Sequence, residues 1–112
     1  MNVTIEVTGF ESNRGKAFVE IVNEEGKAVS QLVLPITQKK VFLTLTLPEA
    51  KKYGFRVFHD ENNNKKLDKN LVGYPLEKWG VSNGARPAFR APTTDEILVS
   101  VKDGDQIKVF ID

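Results

Sequence analysis

The sequence has no cysteine, a single histidine and almost no net charge. The absence of cysteine excludes disulfides, thiolate nucleophiles and thiolate metal ligands. No apolar run approaches the roughly 20 residues that a membrane-spanning helix needs. A net charge of +1 gives no electrostatic reason to expect nucleic acid or an anionic membrane as a partner. Strand-like sequence follows Met1 directly, so we expect either a cytosolic protein or an exported one whose signal has been removed.

Apolar and polar residues alternate along most of the chain, which is typical of strands with one buried face. The turn sequence "NEEGK" (Asn23–Lys27) predicts one hairpin, and "KDGD" (Lys102–Asp105) predicts a second hairpin at the end of the chain. No segment shows the apolar period of a helix. We therefore predict one all-β domain over 1–112, an antiparallel β-sandwich of about seven strands. The predicted strands lie near 2–8, 17–22, 30–34, 41–47, 53–57, 97–101 and 107–111.

An irregular region from about 59 to 95 is longer than ordinary connections between strands. It carries too many large apolar residues for a disordered segment. We predict an ordered loop packed over one end of the sandwich, with room for one short extra strand. The apolar residues behind this prediction are Phe58, Leu67, Leu71, Tyr74, Trp79, Val81 and Phe89.

The first part of this loop has the spacing of a calcium site. With Asp60 as first ligand, side-chain oxygens recur at alternate positions, and Lys66 would contribute its backbone carbonyl. Lys65 stands where such loops usually have glycine, and Lys65, Lys66 and Lys69 balance the nearby acids, so we expect modest affinity. The alternative is that the Asp and Asn side chains bond their own backbone in turns. The predicted metal ligands are Asp60, Asn62, Asn64, Lys66, Asp68 and Glu77.

The stretch "HDENNNKKLDKNLVGYPLEKWGVSN" resembles an uncharacterised bacterial family, domain of unknown function number two thousand one hundred and forty-one. The resemblance is carried by a His-Asp-x-Asn-x-Asn-x-x-Leu-Asp motif, a Gly-x-Pro-x-Glu step and an aromatic-Gly-x-Ser-Asn step. Members usually have glycine where Asn63 and Lys65 stand, so the resemblance supports the fold more than the metal site. The matching residues are His59, Asp60, Asn62, Asn64, Leu67, Asp68, Gly73, Pro75, Glu77, Trp79, Gly80, Ser82 and Asn83.

The resemblance implies a transthyretin-like or immunoglobulin-like sandwich in a periplasmic, outer-envelope or secreted protein. It implies no activity. We therefore expect a non-enzymatic binding or structural module whose partner is a protein, peptide or glycan, acting as a monomer or weak oligomer without a membrane span. The alternative is that the aromatic side chains of this loop cover the end of the core, while its arginines face solvent. The candidate ligand-binding residues are His59, Trp79, Ser82, Asn83, Arg86 and Phe89.

Catalysis is the other interpretation of the same loop. His59 is the single histidine, and it could act in a small hydrolase together with Asp60 and Glu77. A Ser-His-Asp arrangement with Ser82 is also conceivable. However, neighbouring His59 and Asp60 side chains would leave a strand in opposite directions. A lone histidine without a nucleophile motif more often ties down a loop, so we predict that the protein is not an enzyme.

Overall fold

The computed structural model describes residues 1–49, 51–60, 77–85 and 92–112. In these residues the chain forms eight strands, one more than the number predicted from the sequence. A short 3₁₀ turn, Ser82–Gly84, and one helical turn, α1 (Thr94–Ile97), accompany them. The strands are β1 (Asn2–Thr8), β2 (Lys16–Val22), β3 (Ala28–Leu34), β4 (Val41–Thr46), β5 (Lys51–Asp60), β6 (Trp79–Val81), β7 (Leu98–Val101) and β8 (Gln106–Phe110).

The strands form two sheets that pack as a sandwich. The first sheet has the order β4-β1-β8. The second has the order β3-β2-β5-β6, and β7 pairs with β5 beyond the end of β6, so that β6 and β7 share one side of β5. The alternation seen in the sequence explains the packing, because one side of each central strand is apolar and faces the other sheet. Between the sheets lie Val3, Ile5 and Val7 of β1, Val19 and Ile21 of β2, and Tyr53, Phe55 and Val57 of β5.

Two details of the predicted topology were wrong. Strands β7 and β8 flank the predicted turn, but they do not form a hairpin: β7 pairs with β5 in one sheet, and β8 pairs with β1 in the other. The β1–β8 pair is parallel, so the sandwich is not antiparallel throughout. The turn Lys102–Asp105 instead crosses between the layers, held by a bond from Gly104 N to Asn2 O of 2.8 Å. This crossing places both Val101 and Val109 in the common core.

The two sheets approach each other closely where β6 meets β8. The amide nitrogen of Asp112 donates to the carbonyl oxygen of Trp79 at 3.1 Å. Any side chain at Gly80 would collide with the backbone of Phe110, so this approach requires glycine. As a result, one side of the sandwich is closed by direct backbone contact, next to the end of β5 that carries His59 and Asp60.

A second, smaller apolar cluster covers part of the outer face of the second sheet. It consists of Val22, Val81 and Ile97, with Trp79 and Ala85 beside them. Ile97 of α1 packs over Gly54 of β5, where an added methyl group would meet Ile97 Cγ1 at 2.6 Å. The region predicted as a loop over about 59–95 therefore contains the end of β5, strand β6, the 3₁₀ turn and the start of α1, and β6 is the short extra strand expected there.

No helix among the described residues is both long enough and apolar enough to span a bilayer.

Candidate functional site

His59 is fully buried at the end of β5, on the face that points between the sheets. Its Nε2 lies 2.6 Å from the carbonyl oxygen of Arg14. A carbonyl can only accept, so Nε2 carries the hydrogen and donates it. The ring of Phe10 meets the imidazole edge-on, with 5.2 Å between ring centroids. His59 therefore ties the segment between β1 and β2 to the core, as expected for a lone histidine that holds a loop.

The other ring nitrogen of His59 is less easily explained. Nδ1 is buried and has no hydrogen-bond partner among the residues that the structure describes. In the neutral ring Nδ1 is an acceptor, because the hydrogen is on Nε2. A buried polar atom without a partner costs about 1–3 kcal/mol, and such an atom in a native protein calls for an explanation.

Asp60 and Glu77 are two buried carboxylates at the two ends of the stretch 61–76. Asp60 is 1% exposed and Glu77 is 7% exposed. Strands β5 and β6 pair Phe58 with Trp79, and the bond from His59 N to Lys78 O at 2.9 Å extends that register by one residue. Continued by one more pair, the register brings Glu77 to the level of Asp60. Buried carboxylates are usually found with cations or with hydrogen-bond donors.

The remaining predicted calcium ligands, Asn62, Asn64, Lys66 and Asp68, lie outside the described residues. Within 1–49, 51–60, 77–85 and 92–112, no three acidic or histidine side chains come together as a metal-binding group. The described part of the chain thus supplies at most two of the predicted ligands, Asp60 and Glu77. The calcium site stays a prediction.

Ser82 and Asn83 follow β6 and lie beside the middle of β5. The buried hydroxyl of Ser82 accepts a hydrogen bond from Phe55 N at 3.0 Å and donates to the carbonyl oxygen of Ile97. Asn83 adopts a positive φ of 65°, and its Nδ2 donates to Leu98 O at 2.8 Å. Both side chains therefore hold the helical turn and the start of β7 against β5 and the end of β6.

The structure does not bring Ser82 and His59 together. Ser82 is bonded to Phe55, and His59 is four residues further along the same strand, which corresponds to about 13 Å at the rise of an extended chain. The triad considered from the sequence needs a serine hydroxyl within hydrogen-bond reach of the imidazole. The described geometry does not provide that contact.

Trp79 lies in β6, and two phenylalanines continue its row across the outer face of the second sheet. Phe58 is its partner on β5, and Phe18 of β2 is the partner of Phe58. The two phenylalanine rings stack, with centroids 5.0 Å apart and planes 20° apart. Val33 of β3 extends the row at the far side. Arg86 and Phe89, predicted as binding residues beside Trp79, lie outside the described residues.

A polar row runs parallel to these aromatic rings. Arg56 Nη1 lies 3.1 Å from Glu20 Oε1, and Gln31 Nε2 donates to Glu20 Oε2 at 2.8 Å. The register pairs Gln31 with Glu20 and Glu20 with Arg56, so the network crosses three strands. Of these two rows, only Trp79 was among the binding residues predicted from the sequence. The available signal was the phase of Phe18 and Phe58, which alternate with the core residues of β2 and β5 and so face outward.

A family model described as "Uncharacterized protein conserved in bacteria (DUF2141)" matches residues 5–108. The chain belongs to this bacterial family. The match covers nearly the whole sandwich, from β1 into β8, and it confirms the resemblance found in the sequence. Neither a curated protein nor a solved structure matches the chain. Membership of the DUF2141 family carries no described activity.

Proposed function

We propose that this DUF2141 protein is a non-enzymatic binding module of the cell envelope or of the secreted fraction. The observation that carries the proposal is the pair of rows on the outer face of the second sheet. Stacked Phe18 and Phe58, with Trp79 next to them, form a half-buried aromatic row, and Arg56 and Glu20 offer hydrogen-bonding groups beside it. Aromatic area flanked by a few fixed polar groups is the usual composition of a recognition surface.

A glycan suits this surface best among the glycan, peptide and protein partners expected from the sequence. Sugar rings present apolar C–H faces for stacking and hydroxyl groups for hydrogen bonds. The aromatic row would stack against the C–H faces of the sugar, and the Gln31–Glu20–Arg56 row would form hydrogen bonds with its hydroxyl groups. Trp79 continues the aromatic row onto β6, next to Phe58.

Trp79 is the single tryptophan of the chain and gives a direct measurement of binding. We expect its fluorescence to change on titration with an envelope glycan, and Arg56→Ala to weaken that binding at least tenfold. Lys108→Ala is the matched control, because Lys108 is an exposed cation on β8 of the other sheet. A glycan screen without any change in Trp79 fluorescence, or equal effects of the two variants, would contradict the proposal.

The second part of the proposal is that calcium stiffens the connection between β5 and β6. Asp60 and Glu77 support it, because the register brings these buried carboxylates to one level at the two ends of the segment. The spacing of Asn62, Asn64, Lys66 and Asp68 in the sequence supplies further oxygen atoms. At a free calcium concentration of about ten times the Kd, calcium should stabilise the fold by about 1.4 kcal/mol. This corresponds to a rise in Tm of roughly 5 °C.

Thermal unfolding with calcium, with magnesium and with a chelator tests this part. Asp60→Asn and Glu77→Gln should each abolish the calcium shift. Asp103→Asn is the control, since Asp103 lies in the exposed β7–β8 turn and asparagine keeps the oxygen that accepts from Asn2 N at 2.7 Å. An unchanged Tm at millimolar calcium would remove calcium from the proposal without affecting the binding surface.

A small hydrolase using His59, Asp60 and Glu77 is the second candidate. It is favoured by one observation, the buried Nδ1 of His59 without a partner among the described residues. Against it, the His59 ring is fully buried and its Nε2 is bonded to the backbone. Turnover of ester, amide or glycoside substrates that disappears in a folded His59→Gln variant would favour the enzyme over the binding module.

A further inference from the structure

Among the described residues, strand β3 is an edge strand with one unpaired side. It pairs with β2, and no other strand of the described residues pairs with it. Its outward-facing Gln31 and Val33 are exposed, and Val33 retains 43% of its accessible surface. The free side presents backbone N–H and C=O groups in the arrangement that another extended strand would complete.

This edge has little of the protection that edge strands normally carry. Natural edges are usually blocked by lysine, by proline or by a bulge. The sequence of β3, "AVSQLVL", has no charged residue and no proline. Its one irregularity is at Val29, because Ile21 pairs with Ser30 while Val22 pairs with Ala28. The five residues from Ser30 to Leu34 remain regular.

The regular segment can pair with a copy of itself. Antiparallel neighbours must face the same side of a sheet, so a two-fold axis has to pass through a residue rather than between two residues. With the axis at Leu32, Val33 of each copy lies beside Gln31 of the other, on the exposed face. Leu32 then lies beside its own copy on the core side, where it already packs against the core.

The charges at the two ends of β3 favour the same arrangement. The turn before β3 carries Glu24 and Glu25, and the turn after the strand carries Lys39 and Lys40. All four residues are exposed. An antiparallel arrangement places the acidic turn of one copy next to the basic turn of the other, and symmetry repeats the contact. Complementary charges of this kind set the orientation of a pairing.

We propose that the free edge of β3 binds the β3 edge of a second copy of this chain, joining the two five-stranded sheets into one. The first sheet has a comparable edge at β4, which is likewise uncharged. Strand β4 follows the same Lys39 and Lys40, but one acidic residue, Glu49, follows it, and Glu49 lies 3.1 Å from Lys51. The turn before β3 has two acidic residues, of which Glu25 lies 3.9 Å from Lys27. The second glutamate gives β3 the stronger charge complementarity of the two edges.

Sedimentation velocity over a range of concentrations tests the proposal. The wild-type chain should shift from one to two copies as its concentration rises, and Val33→Lys should weaken that association at least tenfold. Phe42→Lys is the matched control, since Phe42 is 64% exposed on β4 and the change adds the same charge to the other edge. A monomer at every attainable concentration overturns the proposal, as does a dimer that only Phe42→Lys disrupts.

A charge swap tests the orientation. Glu24→Lys with Glu25→Lys should weaken the dimer, and so should Lys39→Glu with Lys40→Glu. All four changes in one chain should restore it. Raising the salt to about 1 M, where the Debye length is about 3 Å, should weaken the wild-type dimer and abolish the difference between these variants. If the fourfold variant associates no better than the double variants, the antiparallel arrangement is wrong.

A cysteine cross-link keeps the test decisive if Val33→Lys fails to fold. The chain has no cysteine of its own, so Leu32→Cys introduces the sole thiol, next to the proposed axis. Mild oxidation should give a covalent dimer, because two residues that face each other across the axis lie within the distance that a disulfide can span. Phe42→Cys under the same conditions should stay monomeric. Equal cross-linking of the two variants would overturn the proposal.

Discussion

The Nε2 atom of His59 lies 2.6 Å from the carbonyl oxygen of Arg14, and this bond joins the end of β5 to the segment between β1 and β2. The two residues are 45 positions apart in the chain. Phe10 from the same segment packs edge-on against the ring. The single histidine is thus a structural link between β5 and the segment that joins the two sheets.

Replacement of His59 should therefore act on stability. His59→Ala removes a fully buried ring and the donor to Arg14, and we expect a loss of about 2–4 kcal/mol in the free energy of unfolding. His59→Gln keeps an amide donor at a similar reach and should cost about 1 kcal/mol. Chemical denaturation measures both values. An alanine variant as stable as the wild type would show that the bond to Arg14 contributes nothing.

Ser82 should be a second structural link of similar importance. Ser82→Ala leaves Phe55 N and Ile97 O without their partner in a buried position, and we expect a loss of about 2 kcal/mol. Ser100→Ala is the matched control, because Ser100 is exposed on β7 and should change stability by less than about 0.5 kcal/mol. Equal unfolding midpoints for the two variants would contradict the assigned role of the hydroxyl.

Gly80 should be the least replaceable glycine of the described strands. Gly80→Ala brings a methyl group into the backbone of Phe110, which cannot move without separating β6 from β8. Gly54→Ala meets only side chains, the nearest being Ile97 at 2.6 Å, and that side chain can change rotamer. We expect a loss of about 3 kcal/mol or more for Gly80→Ala and about 1–3 kcal/mol for Gly54→Ala. Thermal melts measure both losses, and a larger loss for Gly54→Ala than for Gly80→Ala would contradict the prediction.

The turn before β4 should be open to stabilisation. Gln38 and Lys39 have φ values of 54° and 59°, and Thr37 and Lys40 bridge the turn. Two consecutive positive φ values are typical of a type I′ turn, which favours Asn-Gly. We expect Lys39→Gly to raise stability by about 0.5–1 kcal/mol. Lys40→Gly is the control, since Lys40 has no positive φ and the change should lower stability. The unfolding midpoints should be compared at a dilution where the chain is monomeric.

Local pattern was enough to predict most of the strands and their buried faces. Val3, Ile5 and Val7 alternate with polar residues, and the structure buries all three between the sheets. The same rule identified Tyr53, Phe55 and Val57. The family was also evident, because the motif from His59 to Asn83 is specific, and the family match confirms it. For the candidate site, the sequence singled out His59 and Ser82 as notable residues without revealing what they contact.

The sequence by itself determined which residues face the core, because alternation along a strand depends only on local backbone geometry. Only the tertiary structure decided which strands pair. The turn Lys102–Asp105 has the composition of a hairpin, yet β7 pairs with β5 and β8 with β1, and these partners are too distant in the chain for the turn to specify them. Contacts such as His59 with Arg14 and Ser82 with Ile97 join residues that are distant in the chain, so no local pattern contains them. The opposition of Asp60 and Glu77 likewise follows from the β5–β6 register.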